Sequence, residues 1–331
     1  MRDHTLLGPW VRRFLLEHLL TERNLSLNTQ HSYRDTFRLL LPFVASRVGR
    51  SVDHLQVVDI TPAVVRQFLT HVERERRCSI GTRNQRLAAV HALARFIGEH
   101  SPEHVAWCGQ IRLIPHKRST RVLISYLTEA EMHALLDAPQ RSTEQGYRDY
   151  VLLLFLYNSG ARASEAASLR VQDLDTRSRL VRIVGKGKKQ RICPLWPQTV
   201  DHLRRLIAKR PEDEPLFQNR LRQPLTRFGI HTLVERHAAH AAEHEPSLRS
   251  KRVSPHTIRH STATHLLRAG VDINTIRGWL GHASINTTNV YAEVDLDAKA
   301  KALAACSPGT TGKSRLPWKQ TTGVMQFLRS L

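Results

Sequence analysis

The chain has 331 residues, and its 50 lysines and arginines exceed its 29 aspartates and glutamates, giving a formal net charge of +21 with histidine neutral. A surplus of this size favours a polyanionic partner, usually nucleic acid and less often an anionic membrane. The longest apolar run, Val151 to Tyr157, is too short to span a bilayer, and the charged N-terminal segment is unlike a secretory signal. The four cysteines are widely separated, which favours a reducing cytoplasm over a disulfide framework or a zinc ribbon.

Residues 1–105 predict a small domain of helices. Apolar side chains recur at helical spacing from Trp10 to Leu19 and again after Thr29, which we expect to cap the second helix. Thr61 followed by Pro62 is typical of a helix start. A fourth helix is predicted from Thr82 to Gly98. Three arginines are expected to lie off its apolar face, either solvated or facing DNA: Arg83, Arg86 and Arg95.

Residues 106–121 lose helical periodicity, contain a proline and cluster four basic side chains, so they predict a basic linker. Such a segment either lies along a nucleic acid or is simply solvated. We therefore place a second domain at residues 122–306 and a tail at residues 307–331.

The second domain is predicted to be mostly helical with one small β-sheet. Thr128 to Glu131 form a capping box, and an apolar helix ends at Gly160. Two β-like runs between residues 180 and 195 flank the basic turn Gly185–Lys189, which predicts a hairpin. From Thr199 onward we expect helix again, interrupted at Pro211, Pro215 and Pro224. The predicted fold class is mainly α: a small helical domain followed by a mostly helical domain with a small sheet.

Several segments of the second domain carry groups suited to chemistry. Arg162 follows a glycine break at a helix start, where phosphate binds readily, although an ordinary capped helix has the same pattern. The turn at Gly185–Lys189 lacks the spacing of a phosphate-binding P-loop and could simply be a solubilising turn. A third segment places His256 and Arg259 on one helix face.

Two metal-site hypotheses are weak. His256 and His260 have ligand spacing, but Thr257 stands where a zinc hydrolase has glutamate. A second histidine stripe is interpreted as a solvated face: His237, His240 and His244. Farther on, a glycine helix stop is followed at once by His282, and Tyr291 comes nine residues later.

The order and spacing of these groups resemble the tyrosine recombinases, also called phage integrases, and especially the Xer recombinases and compact mobile-element integrases. The matching strings are SGARASEAASL, GKGKKQR, SPHTIRHSTATHLL and LGHASINTTNVY. Residues 29–43 and 79–87 also resemble the family's core-binding, SAM-like domain, so the likeness covers roughly residues 5–305. One departure is Ala161, where the family more often has leucine.

The resemblance implies a site-specific DNA recombinase, in which Tyr291 attacks a phosphodiester and forms a 3′-phosphotyrosyl link without ATP, metal or any other cofactor. Arg162 and Arg259 would clamp the non-bridging oxygens, and Lys186 would protonate the leaving 5′-oxygen. His256 would assist proton transfer and His282 would bind the phosphate. Glu165 is expected to hold Arg162 rather than to react.

The same resemblance implies that double-stranded DNA is the partner, with no membrane. It also implies a homotetramer, or a hetero-assembly with related recombinases, on DNA in the bacterial cytoplasm. Candidate DNA contacts are Arg83, Asn84, Arg86, Lys117, Arg118, Lys188 and Lys189. In the family the C-terminal end often docks on a neighbouring subunit, which makes Val324, Phe327 and Leu328 candidate contacts.

Two alternatives stay open at the level of the residues. A type IB topoisomerase shares the chemistry but acts as a monomer, and the small helical first domain argues against it. A catalytically idle DNA-binding regulator could keep the fold, and the intact set of catalytic residues argues against that.

Overall fold

The computed structural model describes residues 5–118, 125–185, 187 and 189–281. The chain divides into two compact units, Met1–Val122 and Leu123–Leu331, each with its own apolar core. Five predicted groups lie outside the described residues: Lys186, Lys188, His282, Tyr291 and the tail from residue 307. Within the described ranges, no helix is both long and apolar enough to span a membrane.

The first unit is helical, as predicted. Its helices are α1 (Leu7–Arg13), which continues as a π-helix (Phe14–Glu22), α2 (Leu27–Val48), α3 (Pro62–Arg74), α4 (Ile80–His100) and α5 (Val105–Arg112). Thr61 caps α3 by accepting a hydrogen bond from the backbone N–H of Val64, as expected. The prediction that Thr29 caps α2 is wrong, because Ser26 is the cap and its hydroxyl accepts from the N–H of Thr29.

The predicted linker begins as ordered structure. Helix α5 occupies its first residues, and Ile111 and Ile114 are buried in the core of the first unit. Placing the end of helical periodicity at residue 106 is therefore wrong. The physical reason is a short apolar stripe in which Cys108 and Ile111 lie on one helix face, a pattern too brief to stand out beside the basic residues that follow.

The second unit combines helices with a three-stranded antiparallel sheet in the order β1-β2-β3, which confirms the predicted fold class. Its elements are α6 (Glu129–Asp137), α7 (Glu144–Ser159), α8 (Ala163–Ser168), β1 (Leu174–Asp175), β2 (Leu180–Val184), β3 (Gln190–Pro194), α9 (Pro197–Leu206), α10 (Arg227–Ala241), α11 (Pro255–Arg268) and α12 (Ile273–Leu280). Val184 pairs with Gln190, so the predicted hairpin is confirmed. The apolar helix α7 is buried along most of its length and forms the centre of the core.

The prolines predicted to interrupt the helices after Thr199 lie in one stretch without helix. Residues 207–226 form turns and isolated bridges, including the pairs Arg170 with Pro215 and Gln218 with Pro224. Prolines interrupt helices because they lack an N–H and clash with the preceding turn, which explains the break.

Candidate active site

The C-terminal ends of two helices of the second unit meet at one guanidinium group. Helix α7 ends at Gly160 and α12 ends at Gly281, both in the left-handed conformation with φ of 59° and 65°. Arg259, in the first turns of α11, donates from Nη1 to the carbonyl of Gly160 and from Nη2 to the carbonyl of Leu280, both at 2.6 Å. Because terminal carbonyls of a helix have no partner within the helix, the arginine both satisfies them and joins the ends of α7 and α12.

Arg162 lies immediately beyond this junction, as the N-cap residue of α8. Its Nη1 donates to Oε1 of Glu165 at 2.7 Å, and its backbone N–H donates to Oε2 of the same carboxylate at 2.9 Å. The Arg162 side chain is nevertheless 40% exposed, whereas that of Glu165 is 4% exposed. The carboxylate thus holds the guanidinium at the surface of the unit, as the resemblance implied.

A second arginine shares that carboxylate. Nη2 of Arg191, on β3, donates to Oε2 of Glu165 at 2.8 Å, and its Nε donates to the carbonyl of Trp279 at 2.9 Å. Burial raises the pKa of Glu165, but the hydrogen bonds and charges of Arg191 and Arg162 outweigh that effect and hold the pKa below its ordinary value. Glu165 is therefore ionised at neutral pH.

His256 lies on the exposed side of the first turn of α11, three residues before Arg259. Desolvation and the positive charges of Arg259 and Arg162 lower the pKa of His256 below its usual value. The ring is therefore neutral at neutral pH and able to accept a proton. His260 lies beside it, with the two ring centroids 4.2 Å apart. The structure thus brings together three of the six predicted catalytic residues.

The other three lie outside the described residues, but their neighbours are placed. Gly185 and Lys189 close the hairpin turn on either side of Lys186, with the N–H of Gly185 donating to the carbonyl of Lys189 at 2.8 Å. Lys189 is exposed. Gly281 directly precedes His282 in sequence. Tyr291 is farther along the chain than any described residue.

Three of the candidate DNA contacts of the first unit, Arg83, Asn84 and Lys117, are bonded to other parts of that unit. Arg83 is only 7% exposed, so the prediction that it lies off the apolar face of its helix is wrong; it donates to the carbonyl of Pro115 at 3.2 Å. Asn84 exchanges hydrogen bonds with the backbone of Lys117, while the Lys117 ammonium pairs with Glu73 at 2.7 Å. These residues hold the segment after α5 against α3 and α4. Arg86 is half-buried and Arg118 is exposed.

The histidine stripe on α10 is also corrected. His237 is buried and its Nε2 lies 2.9 Å from Oδ2 of Asp149, so a solvated face is the wrong interpretation for this residue. Arg191 was not singled out by the sequence pattern, since it appears there only as the last basic residue after the hairpin turn. Glu165 precedes it by 26 residues, and only the folded hairpin brings the two together.

Comparison with known proteins places the chain among integrases. Residues 125–297 match the phage integrase family, and residues 12–99 match the N-terminal SAM-like domain of phage integrases. The Sinorhizobium fredii protein y4rC, to which an integrase or recombinase role is attributed, is 38% identical over 335 residues, covering 100% of both chains. Tyrosine recombinase XerC of Pelobacter propionicus is 31% identical over 315 residues, covering 93% of this chain and 96% of the relative.

Solved structures share the fold. The XerH site-specific recombinase bound to palindromic difH substrate superposes with a TM-score of 0.64 at 22% identity, covering 85% of this chain and 81% of that one. The Tn1549 transposon integrase in complex with transposon right end DNA gives a TM-score of 0.68 at 17% identity, covering 90% of this chain and 99% of that one. At these identities the likeness establishes the architecture.

Proposed function

The chain belongs to the phage integrase family of tyrosine recombinases, and on this premise we propose that it is a site-specific DNA recombinase that cleaves and rejoins DNA through a 3′-phosphotyrosyl intermediate. The observation that carries the proposal is the grouping of Arg162, His256 and Arg259 where α7, α8, α11 and α12 meet. Two fixed guanidinium groups beside a neutral imidazole suit a phosphodiester whose charge rises in the transition state.

The proposed cleavage step exchanges one phosphate ester for another. The phenolic oxygen of Tyr291 attacks phosphorus, and His256 accepts the phenolic proton as the P–O bond to tyrosine forms. The bond from phosphorus to the 5′-oxygen breaks, and Lys186 donates a proton to that leaving oxygen. A 5′-hydroxyl from another strand then reverses the step. No oxidation or net hydrolysis occurs, so neither an energy source nor a redox partner is required.

The remaining residues bind and position the phosphate. Arg162 and Arg259 bind the non-bridging oxygens, because forked and permanently charged donors match their geometry. His282 contacts the same phosphate, and Glu165 orients Arg162. Lys189, with Lys188, and four candidates of the first unit contact the DNA backbone: Asn84, Arg86, Lys117 and Arg118. Arg83 is not among them because it is buried and bonded to the Pro115 carbonyl. Because these contacts are made to DNA phosphates, we expect the affinity for DNA to fall steeply as salt is added.

The proposal extends to assembly and biological setting. XerH and the Tn1549 integrase are described in complex with DNA, which supports duplex DNA as the partner. Two recombining sites with two strands each require four active protomers, so we propose a tetramer, formed either by this chain alone or with related recombinases, in the bacterial cytoplasm. Movement of a mobile element is the proposed task, and y4rC and the transposon integrase are the similarities that support it.

The test captures the covalent intermediate. Source cells are lysed in detergent, the protein is purified, and any attached DNA is sequenced, with Tyr291→Phe as the control strain. We expect DNA ends at a discrete sequence with the wild-type protein and none with the variant. The recovered sequence is then rebuilt as a nicked substrate, on which wild-type protein accumulates adduct while Tyr291→Phe binds with similar affinity and forms none.

The same substrate separates the alternatives. A topoisomerase would relax supercoiled DNA without exchanging strands between two sites. A catalytically idle regulator would bind DNA and form no adduct even on the nicked substrate, and Tyr291→Phe would leave its function intact. Either result would overturn the proposed recombinase activity.

A further inference from the structure

Arg191 connects several elements of the candidate active site, although it lies outside the predicted catalytic set. It lies on β3 with a side chain only 10% exposed, and its guanidinium joins two other elements. One nitrogen reaches the carboxylate of Glu165 on α8, and another reaches the carbonyl of Trp279 near the end of α12. A single guanidinium therefore connects the strand after the hairpin turn to two of the helix ends that form the candidate active site.

Two glycines make room for this connection. A Cβ atom on Gly281 would lie 3.2 Å from both Cδ and Nη1 of Arg191, and Gly281 has a φ of 65°. A Cβ atom on Gly185 would lie 3.2 Å from Oε1 of Glu165 and 3.8 Å from Nη1 of Arg191. The pair formed by Arg191 and Glu165 thus packs directly against the backbone just before both Lys186 and His282.

The hydrogen bonds that the two carboxylate oxygens of Glu165 accept show how Arg191 acts on Arg162. Oε1 accepts from the Arg162 guanidinium, whereas Oε2 accepts from the Arg162 backbone and from Arg191. With both oxygens occupied, the carboxylate is fixed in one orientation and the Arg162 side chain stays 40% exposed. A long charged side chain is held in a productive geometry only when its own partner is fixed in this way.

We propose that Arg191 is a positioning residue for DNA cleavage, which sets Arg162 through Glu165 and fixes the end of α12 through the Trp279 carbonyl. The inference rests on the proposed recombinase function and assigns Arg191 no contact with the reacting phosphate. A displacement of about 1 Å in a reacting group can cost on the order of 10²-fold in rate. We therefore expect a slow chemical step in Arg191 variants, with little change in DNA affinity.

The test compares single-turnover adduct formation on the nicked substrate across four proteins. Arg191→Met is expected to slow cleavage by about 10- to 100-fold, and Arg191→Lys, which keeps one charge and one donor, to recover part of that loss. The matched control is Arg182→Met on β2, an arginine 51% exposed and paired with Asp173 at 3.1 Å, where we expect the wild-type rate. DNA affinity is measured for each protein.

The pH profile separates positioning from a merely structural role. Among the described residues, the charged groups against Glu165 are Arg162 at the start of α8 and Arg191 on β3, and they oppose the effect of burial on its pKa. Without Arg191 that pKa rises, Glu165 loses its charge at a higher pH, and its hold on Arg162 weakens there. The acid limb of the cleavage profile should therefore move to higher pH in Arg191→Met and return in the double variant Arg191→Met with Glu165→Gln.

Each outcome decides between two explanations. A slow Arg191→Met variant with a shifted acid limb and partial rescue by lysine supports the inference. A variant that cleaves like Arg182→Met, or one that loses only folded protein while its active fraction keeps the wild-type profile, overturns it. If wild-type protein itself binds the substrate without forming adduct, the proposed function fails, which the wild-type lane shows independently of Arg191.

Discussion

Asp149 and Glu165 are both buried carboxylates of the second unit, with exposures of 1% and 4%, and both accept hydrogen bonds from arginines. Around Asp149 the donors come from the sides of two helices: Arg148 on α7, and Arg236 and His237 on α10. Around Glu165 they come from a helix start and a strand whose other bond reaches a helix end. The first cluster fastens helix to helix, whereas the second fixes the orientation of a group at the surface.

The difference teaches that burial and ion pairing alone do not identify a functional carboxylate. Burial raises the pKa of each group, but nearby hydrogen-bond donors and positive charges lower it by more, so both pKa values lie below their ordinary values. The distinguishing feature is position. Glu165 lies in the first turn of α8 and holds the exposed guanidinium of Arg162, a forked and permanently charged donor that suits phosphate.

The largest expected effect distinguishes the two carboxylate clusters by their exposed arginines. Arg162 and Arg236 are 40% and 64% exposed, and each donates to its buried carboxylate. Arg162→Ala removes a donor to the transition state and should slow single-turnover cleavage by on the order of 10²–10³-fold. Arg236→Ala should leave the rate within about twofold, because Asp149 keeps Arg148 and His237. Equal losses in the two variants would contradict the assignment of Arg162.

A second experiment separates stability from rate at the carboxylates themselves. Asp149→Asn leaves the largely buried Arg148 guanidinium without its counter-charge, and breaking a buried ion pair in this way typically costs about 3–5 kcal/mol. We expect a lower urea midpoint for Asp149→Asn but a normal cleavage rate per folded molecule. Glu165→Gln should also lose stability, but its cleavage should slow as well because Arg162 loses its fixed partner. Cleavage that stays normal in Glu165→Gln would refute that role.

The pH dependence of stability supplies the control for Asp149. Because its pKa is lower in the folded protein, its stabilising contribution is present above the ordinary aspartate pKa and is lost as pH falls through the folded value. In Asp149→Asn this acid-dependent part of the unfolding free energy should disappear. An unchanged acid dependence would show that another carboxyl group is responsible.

Much of this architecture is local in sequence and could therefore be predicted. The capping box at Thr128, the helix stops at Gly160 and Gly281 and the hairpin each depend on residues within a few positions of one another. The spacing of the sequence motifs was enough to predict Arg162 and Arg259 as site residues. The bond between Arg191 and Glu165 was not, since 26 residues separate the partners and the register of β3 decides which side chain faces α8.

The smallest predicted effect concerns two helix stops with nearly the same backbone. Gly49 and Gly281 end α2 and α12 with φ of 67° and 65°, so alanine should cost each about 1 kcal/mol of backbone strain. Their surroundings differ, because a Cβ on Gly49 meets nothing within 4 Å whereas one on Gly281 would lie 3.2 Å from Arg191.

We therefore expect the two variants to shift thermal midpoints by similar amounts while differing in catalysis. Gly281→Ala should slow cleavage by about three- to tenfold, because Arg191 must move by a few tenths of an ångström and takes Glu165 with it. Gly49→Ala should keep the wild-type rate. If both variants cleave normally, the site tolerates displacement of Arg191, and the fixed orientation of Glu165 is a feature of packing rather than of catalysis. If both are slow to the same degree, the loss follows from strain and not from the contact with Arg191.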